Sequence, residues 1–109
     1  MEFDFLDSRP IIVAIAGSNG AGKTTFYHAF LANTELRYIN ADDLARELNI
    51  DPYAAAEAAA ALRSALIAKR ESFIFETVLS DPVGEKVAFL SDAAELGYEV
   101  VLIFIRLPD

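Results

Sequence analysis

Four short apolar segments are spaced along the chain, and a stretch with helical spacing follows each of the first three. Pro10 precedes an unbroken aliphatic run, Ile11–Ala16, which predicts the first strand. Further strands are predicted at 37–40, 73–75 and 99–106. Strands that are apolar throughout, instead of alternating with polar residues, are typical of a parallel sheet covered by helices on both faces.

The segments between these strands carry helix signals. A helix is predicted over 23–31, and a short one over Ala41–Leu48 with acidic residues in its first turn. Asp51 followed by Pro52 predicts the start of an alanine-rich helix that runs to about residue 70. A last helix is predicted over 87–96, with Gly97 as its C-cap. Alternating strands and helices indicate an α/β fold with a mostly parallel sheet.

Composition narrows the possible functions. A chain of 109 residues predicts one domain over 1–109. Its apolar runs are far shorter than the roughly 20 residues that span a bilayer, so we expect no membrane segment. The chain has no cysteine, and we expect a cytoplasmic location. A formal net charge of −8 would repel a nucleic-acid backbone, so we expect no nucleic-acid partner.

The turn after the first predicted strand matches the phosphate-binding motif G-x-x-x-x-G-K-[ST]. Its residues are Gly17, Ser18, Asn19, Gly20, Ala21, Gly22, Lys23 and Thr24, and Thr25 follows. A strand before such a loop and a helix after it let backbone amides hold phosphate oxygens. We expect Lys23 to reach the β- and γ-phosphates of ATP or GTP and Thr24 to ligate Mg²⁺. A glycine-rich turn with no ligand is the alternative.

Carboxylates and a hydroxyl occur at the ends of two other predicted strands. Asp42 and Asp43 follow the second strand, while Glu76 and Thr77 close the third. Ligands of open α/β sheets bind at the carboxyl ends of the strands, so these groups are candidates for Mg²⁺ binding through water or for general base catalysis. Helix capping is the alternative for the two aspartates. We assign no role to His28.

The order GSNGAGKTTF, YINADDLAR, SFIFETVLS and GYEVVLIFIRLP resembles the zeta-toxin-like P-loop kinases. The resemblance implies a three-layer P-loop fold and transfer of the γ-phosphate of ATP or GTP to a sugar hydroxyl, with UDP-N-acetylglucosamine as the leading acceptor. It places the catalytic base on Asp42, acting with Lys23, and a sugar-contacting glutamate on Glu76. We expect Thr77 and Asp43 on the substrate side as well. An antitoxin protein is an expected partner.

The resemblance also implies an arginine-bearing lid and a fifth strand beyond the fourth. Neither occurs before Asp109, so we expect a portion of such a kinase or a shortened relative. With the family's strand order 2-3-1-4-5, the strand at 100–105 would be an open apolar edge, which predicts self-association.

Two other function classes remain open. A transporter-type ATPase would need an LSGGQ-like signature and a strand ending in Asp-Glu, and the sequence has neither. A nucleotide-binding module that lacks a lid and does not turn over is the other alternative.

Overall fold

A computed structural model describes residues 10–18, 20–78 and 85–106 of the protein. Its strands form one sheet in the order β2-β3-β1-β4, and every neighbouring pair is parallel. The strands are β1 (Ile11–Ala16), β2 (Arg37–Ile39), β3 (Phe73–Thr77) and β4 (Glu99–Phe104). The α/β prediction is confirmed, and so is the expected order of these four strands.

The helices lie where the sequence predicted them, with one change of type. They are α1 (Lys23–Phe26), α2 (Ala41–Leu48), α3 (Pro52–Ala68) and α4 (Glu85–Glu95). The segment predicted as one helix over 23–31 is α-helical only to Phe26 and continues as a π-helical turn, Tyr27–Leu31. The Asp51 side chain caps α3 by accepting a hydrogen bond from the Ala54 amide at 2.8 Å.

The sheet separates two apolar clusters, one on each face. On one face, side chains of β1 and β3 pack against buried residues of α3 and α4. On the other face, the alternate side chains of β1 pack with Ile74 of β3 and with Leu31 of the π-helical turn. All six residues of β1 are buried, as expected for a central strand. The protein is therefore built in three layers.

The edge strand β4 departs from the prediction that every strand is covered on both faces. Its Leu102 and Phe104 side chains are 51% and 60% exposed, while Val101 and Ile103 pack on the opposite face. The strand also ends at Phe104, two residues before the predicted end. Within the described part of the chain β4 pairs only with β1, so it is an edge with exposed apolar side chains.

Parallel pairing brings the carboxyl ends of the strands to one side of the sheet. Ala16 at the end of β1 is in register with Thr77 of β3 and with Phe104 of β4, and Ile39 of β2 is in register with Phe75. The residues that leave these strands must therefore meet at one edge. No helix in the described ranges has the length and apolarity needed to cross a membrane.

Candidate functional site

The loop that leaves β1 begins with a glycine that nothing larger could replace. The Gly17 amide donates a hydrogen bond to the Thr77 carbonyl oxygen at 3.2 Å, which ties the loop to the end of β3. A Cβ atom at Gly17 would lie 2.5 Å from the carbonyl oxygen of Ile105. The start of the loop is therefore packed between the last residue of β3 and the residue that follows β4.

The second half of the loop turns into a helix with free backbone donors. Gly22 has φ 100°, a left-handed conformation that costs glycine little. Among the described residues, none accepts a hydrogen bond from the amides of Gly22, Lys23 or Thr24. Gly22 and Lys23 line an open cleft at this end of the sheet. Unpaired amides at the start of a helical segment are suited to bind an anion.

Lys23 is 8% exposed, which is rare for a lysine. Its Nζ donates hydrogen bonds to the carbonyl oxygens of Gly17 at 2.8 Å and Ser18 at 3.0 Å. The ammonium group is thus held at the centre of the loop by neutral acceptors. An anion entering the cleft could offer it a charged acceptor, which makes a stronger hydrogen bond.

A cluster of oxygen atoms lies beside the loop. The Thr24 hydroxyl donates to Glu76 Oε2 at 2.7 Å, and the Tyr38 hydroxyl donates to the same oxygen. Asn40 Nδ2 donates to the Tyr38 hydroxyl at 3.2 Å and approaches Thr24 Oγ1 at 3.5 Å. The structure therefore unites Thr24 and Glu76, both candidates from the sequence, with two residues that sequence reasoning did not select.

Asn40, and not an aspartate, is the cap of α2. Its Oδ1 accepts a hydrogen bond from the Asp42 amide at 2.8 Å, and Asn40 is 7% exposed. Helix capping therefore does not explain Asp42, because the side chain of Asn40 supplies the cap of α2. The Asp42 side chain is exposed and lines the same cleft as Thr24 and Glu76.

The remaining candidates have different surroundings. Thr25 and Thr77 line the cleft, whereas the Asp43 carboxylate forms an ion pair with Arg46 and is not among the lining residues. The substrate-side role of Asp43 stays a prediction. His28 is exposed and its ring contacts Tyr27 edge-on.

Two more loop residues complete the motif. Ala21 is buried, and its amide donates to the Ser18 carbonyl oxygen at 3.1 Å. Asn19 lies outside the described residues.

The cleft has a volume of about 420 Å³. Its lining residues are Gly20, Gly22, Lys23, Thr24, Thr25, Asn40, Ala41, Asp42, Glu76, Thr77 and Val78. The described residues contain no group of three or more His, Cys, Asp or Glu side chains that could enclose a metal ion. The paired hydroxyl of Thr24 and carboxylate of Glu76 are the hard oxygen donors that Mg²⁺ prefers, and Mg²⁺ usually takes only one or two protein ligands alongside phosphate and water.

Comparison with known proteins identifies a similar fold. No protein-family model matches the chain, and no curated protein matches it significantly. A solved structure described as that of a putative kinase from Chloroflexus aurantiacus J-10-fl superposes with a TM-score of 0.66 at 14% sequence identity. The match covers 89% of this chain and 59% of that one. The two proteins share the α/β fold.

Proposed function

We propose that this protein is a kinase that transfers the γ-phosphate of ATP or GTP to a sugar hydroxyl. One observation carries the proposal: the loop lysine, the Thr24–Glu76 pair and the Asp42 carboxylate all line one cleft at the carboxyl end of the sheet. Phosphoryl transfer needs this combination of a phosphate grip, metal-binding oxygens and a base beside the acceptor. The similar fold of a protein named as a kinase supports the same class.

The loop supplies the nucleotide side of the reaction. In this proposal the unpaired amides of Gly22, Lys23 and Thr24 bind the phosphates, while the Lys23 ammonium exchanges its carbonyl partners for phosphate oxygens. Thr24 and Glu76 would hold Mg²⁺, directly or through water. When bound, that ion neutralises charge on the β- and γ-phosphates. The adenine or guanine base has no assigned contact.

Asp42 supplies the acceptor side. Its carboxylate is exposed at the start of α2, on the wall of the cleft next to Asn40, and is free of the capping bond. There it can accept the proton of an attacking hydroxyl as the oxygen bonds to phosphorus. The resemblance to zeta-toxin-like kinases makes UDP-N-acetylglucosamine the leading acceptor, with Thr77 and Asp43 on the side where the sugar would bind.

The Asp42→Asn variant tests the assigned base. We expect transfer of labelled γ-phosphate to UDP-N-acetylglucosamine to fall by about 10²- to 10⁴-fold, the usual contribution of a general base. Binding of MgATP, measured by calorimetry, should be unchanged, because Asn40 retains the helix cap. Asp51→Asn is the matched control, since Asp51 caps α3 and asparagine caps equally well.

Two results would contradict parts of the proposal. Turnover unaffected by Asp42→Asn would remove the assigned base. Wild-type protein that binds MgATP but phosphorylates neither UDP-N-acetylglucosamine nor other sugar acceptors would favour a nucleotide-binding module without turnover. Assays with ATP and GTP side by side would give the nucleotide preference.

A further inference from the structure

Two tyrosines connect the segment after the phosphate loop to strand β2. The rings of Tyr27 and Tyr38 stack with their centroids 3.6 Å apart and their planes within 4° of parallel. Tyr27 opens the π-helical turn after α1, and Tyr38 is the middle residue of β2. π-Helical turns are uncommon and occur frequently at functional sites. Here the turn places an aromatic face directly against the ring of Tyr38.

The Tyr38 hydroxyl is fixed at the other end of the ring. It donates a hydrogen bond to Glu76 Oε2 and accepts one from Asn40 Nδ2 at 3.2 Å. A phenol has one proton to donate, and that proton is committed to the carboxylate. The ring face and the hydroxyl are thus held independently, by the stack with Tyr27 and by the buried amide of Asn40.

The hydrogen bonds from the Thr24 and Tyr38 hydroxyls orient the Glu76 carboxylate. Oε2 receives hydrogen bonds from Thr24 and Tyr38, whereas Oε1 has no partner among the described residues. An ionised carboxylate has about four lone-pair positions over its two oxygens. Oε2 is occupied by the two hydroxyl donors, so Oε1 remains free to accept from a ligand in the cleft that Glu76 and Thr24 line.

We infer that Tyr38, clamped by Tyr27, is a positioning residue for the Mg²⁺ site: it orients Glu76 so that Thr24 Oγ1 and the free Glu76 oxygen face the metal together. The inference rests on the proposed function, because it assumes that nucleotide binds with Mg²⁺ in this cleft. It gives Glu76 a role on the metal side of the site. It also gives a role to Tyr27 and Tyr38, neither of which needs to touch nucleotide or acceptor.

The Tyr38→Phe variant removes the hydroxyl and keeps the stacked ring. The experiment measures ATP binding by calorimetry across a Mg²⁺ series and again with ATP in EDTA. Loss of a group that orients a metal ligand typically weakens metal affinity by about 10- to 100-fold. We therefore expect the half-saturating Mg²⁺ concentration to rise at least tenfold, while the affinity for metal-free ATP stays at the wild-type value.

Tyr27 provides both a control and a second variant. No hydrogen bond of the Tyr27 hydroxyl occurs among the described residues, so Tyr27→Phe keeps the stack and should match the wild type throughout. Tyr27→Leu removes the stack and leaves the Tyr38 hydroxyl in place. Tyr27→Leu should also raise the half-saturating Mg²⁺ concentration. If thermal melting shows that Tyr38→Phe is unfolded, Tyr27→Leu is the variant that tests the inference.

The possible outcomes distinguish a failure of this inference from a failure of the proposed function on which it rests. Unchanged Mg²⁺ dependence in Tyr38→Phe, with wild-type protein that binds MgATP, would overturn the positioning role and leave the kinase proposal standing. An equal loss of affinity for MgATP and metal-free ATP would also overturn it, because that result indicates general damage to the loop. Wild-type protein that binds no MgATP would overturn both.

Discussion

The buried lysine of the phosphate loop offers the most direct test of the site. Lys23→Met removes the ammonium group and keeps the apolar stem of a side chain that is 8% exposed. In the free protein the ammonium is bonded to the carbonyl oxygens of Gly17 and Ser18. In the proposed complex it exchanges these neutral acceptors for phosphate oxygens.

The expected loss of affinity can be estimated from this exchange. A hydrogen bond to a charged group contributes about 1.5–3 kcal/mol. Since each 1.4 kcal/mol is tenfold, the dissociation constant for MgATP should rise by about 10- to 150-fold. The upper part of that range is favoured, because Lys23 is 8% exposed and opposite charges attract each other more strongly where the protein displaces water.

Calorimetric titration with MgATP measures the effect directly. The matched control is Lys69→Met, because Lys69 is an exposed lysine at the C-cap of α3. Thermal melting should show a loss of stability in Lys23→Met but not in Lys69→Met, because the Lys23 ammonium donates two hydrogen bonds to loop carbonyl oxygens. Unchanged MgATP affinity in a folded Lys23→Met protein would refute the assignment of this loop to phosphate binding.

Two further predictions concern stability and assembly. Burial raises the pKa of the Tyr98 phenol, Arg70 opposes this shift and Glu71 adds to it. In urea titrations the contribution of Tyr98 to the free energy of unfolding should therefore be constant below about pH 10 and fall as pH rises through the raised pKa. Tyr98→Phe should abolish that fall. For assembly, the exposed apolar edge of β4 predicts self-association that Leu102→Lys reduces in light scattering, and a monodisperse wild-type monomer at high concentration would contradict it.

The sheet and most helices could be predicted because their signals are local. The run Ile11–Ala16 is apolar at every position and is buried at every position. Asp51 and Pro52 mark the start of α3 through a side-chain cap and a fixed φ angle, and both depend on neighbouring residues alone. Gly97 has φ 98°, as expected of a glycine that ends a helix.

The parts of the site that sequence reasoning missed depend on residues that are distant in the chain. A tyrosine within a strand such as Tyr38 normally indicates packing, and only the fold shows that its hydroxyl meets Glu76. The π-helical turn that presents Tyr27 follows from packing against the sheet and leaves no periodic signal. Asn40 could have been selected, since it directly follows β2 and precedes a helix with acidic residues in its first turn.

Edge strand β4 shows where a local pattern misleads. Its uninterrupted apolar run predicted coverage on both faces, because strands in the middle of parallel sheets have that composition. The pattern does not report a strand's place in the sheet. In the structure Leu102 and Phe104 are exposed, whereas Ala14, the register partner of Leu102 in β1, is buried in the cluster on that face.

The charges around the cleft favour a nucleotide bound together with a metal ion over a free nucleotide. Among the described residues that line it, Lys23 is the one cation, opposed by the carboxylates of Asp42 and Glu76, in a chain of net charge −8. A polyphosphate without a cation would add its own negative charge to this surplus and would bind more weakly than its magnesium complex. Backbone amides supply positive dipoles but no net charge. A Mg²⁺ ion held by Thr24 and Glu76 would turn one of the two carboxylates from a repelling group into a ligand, so that the same side chain which opposes free ATP would favour the magnesium complex.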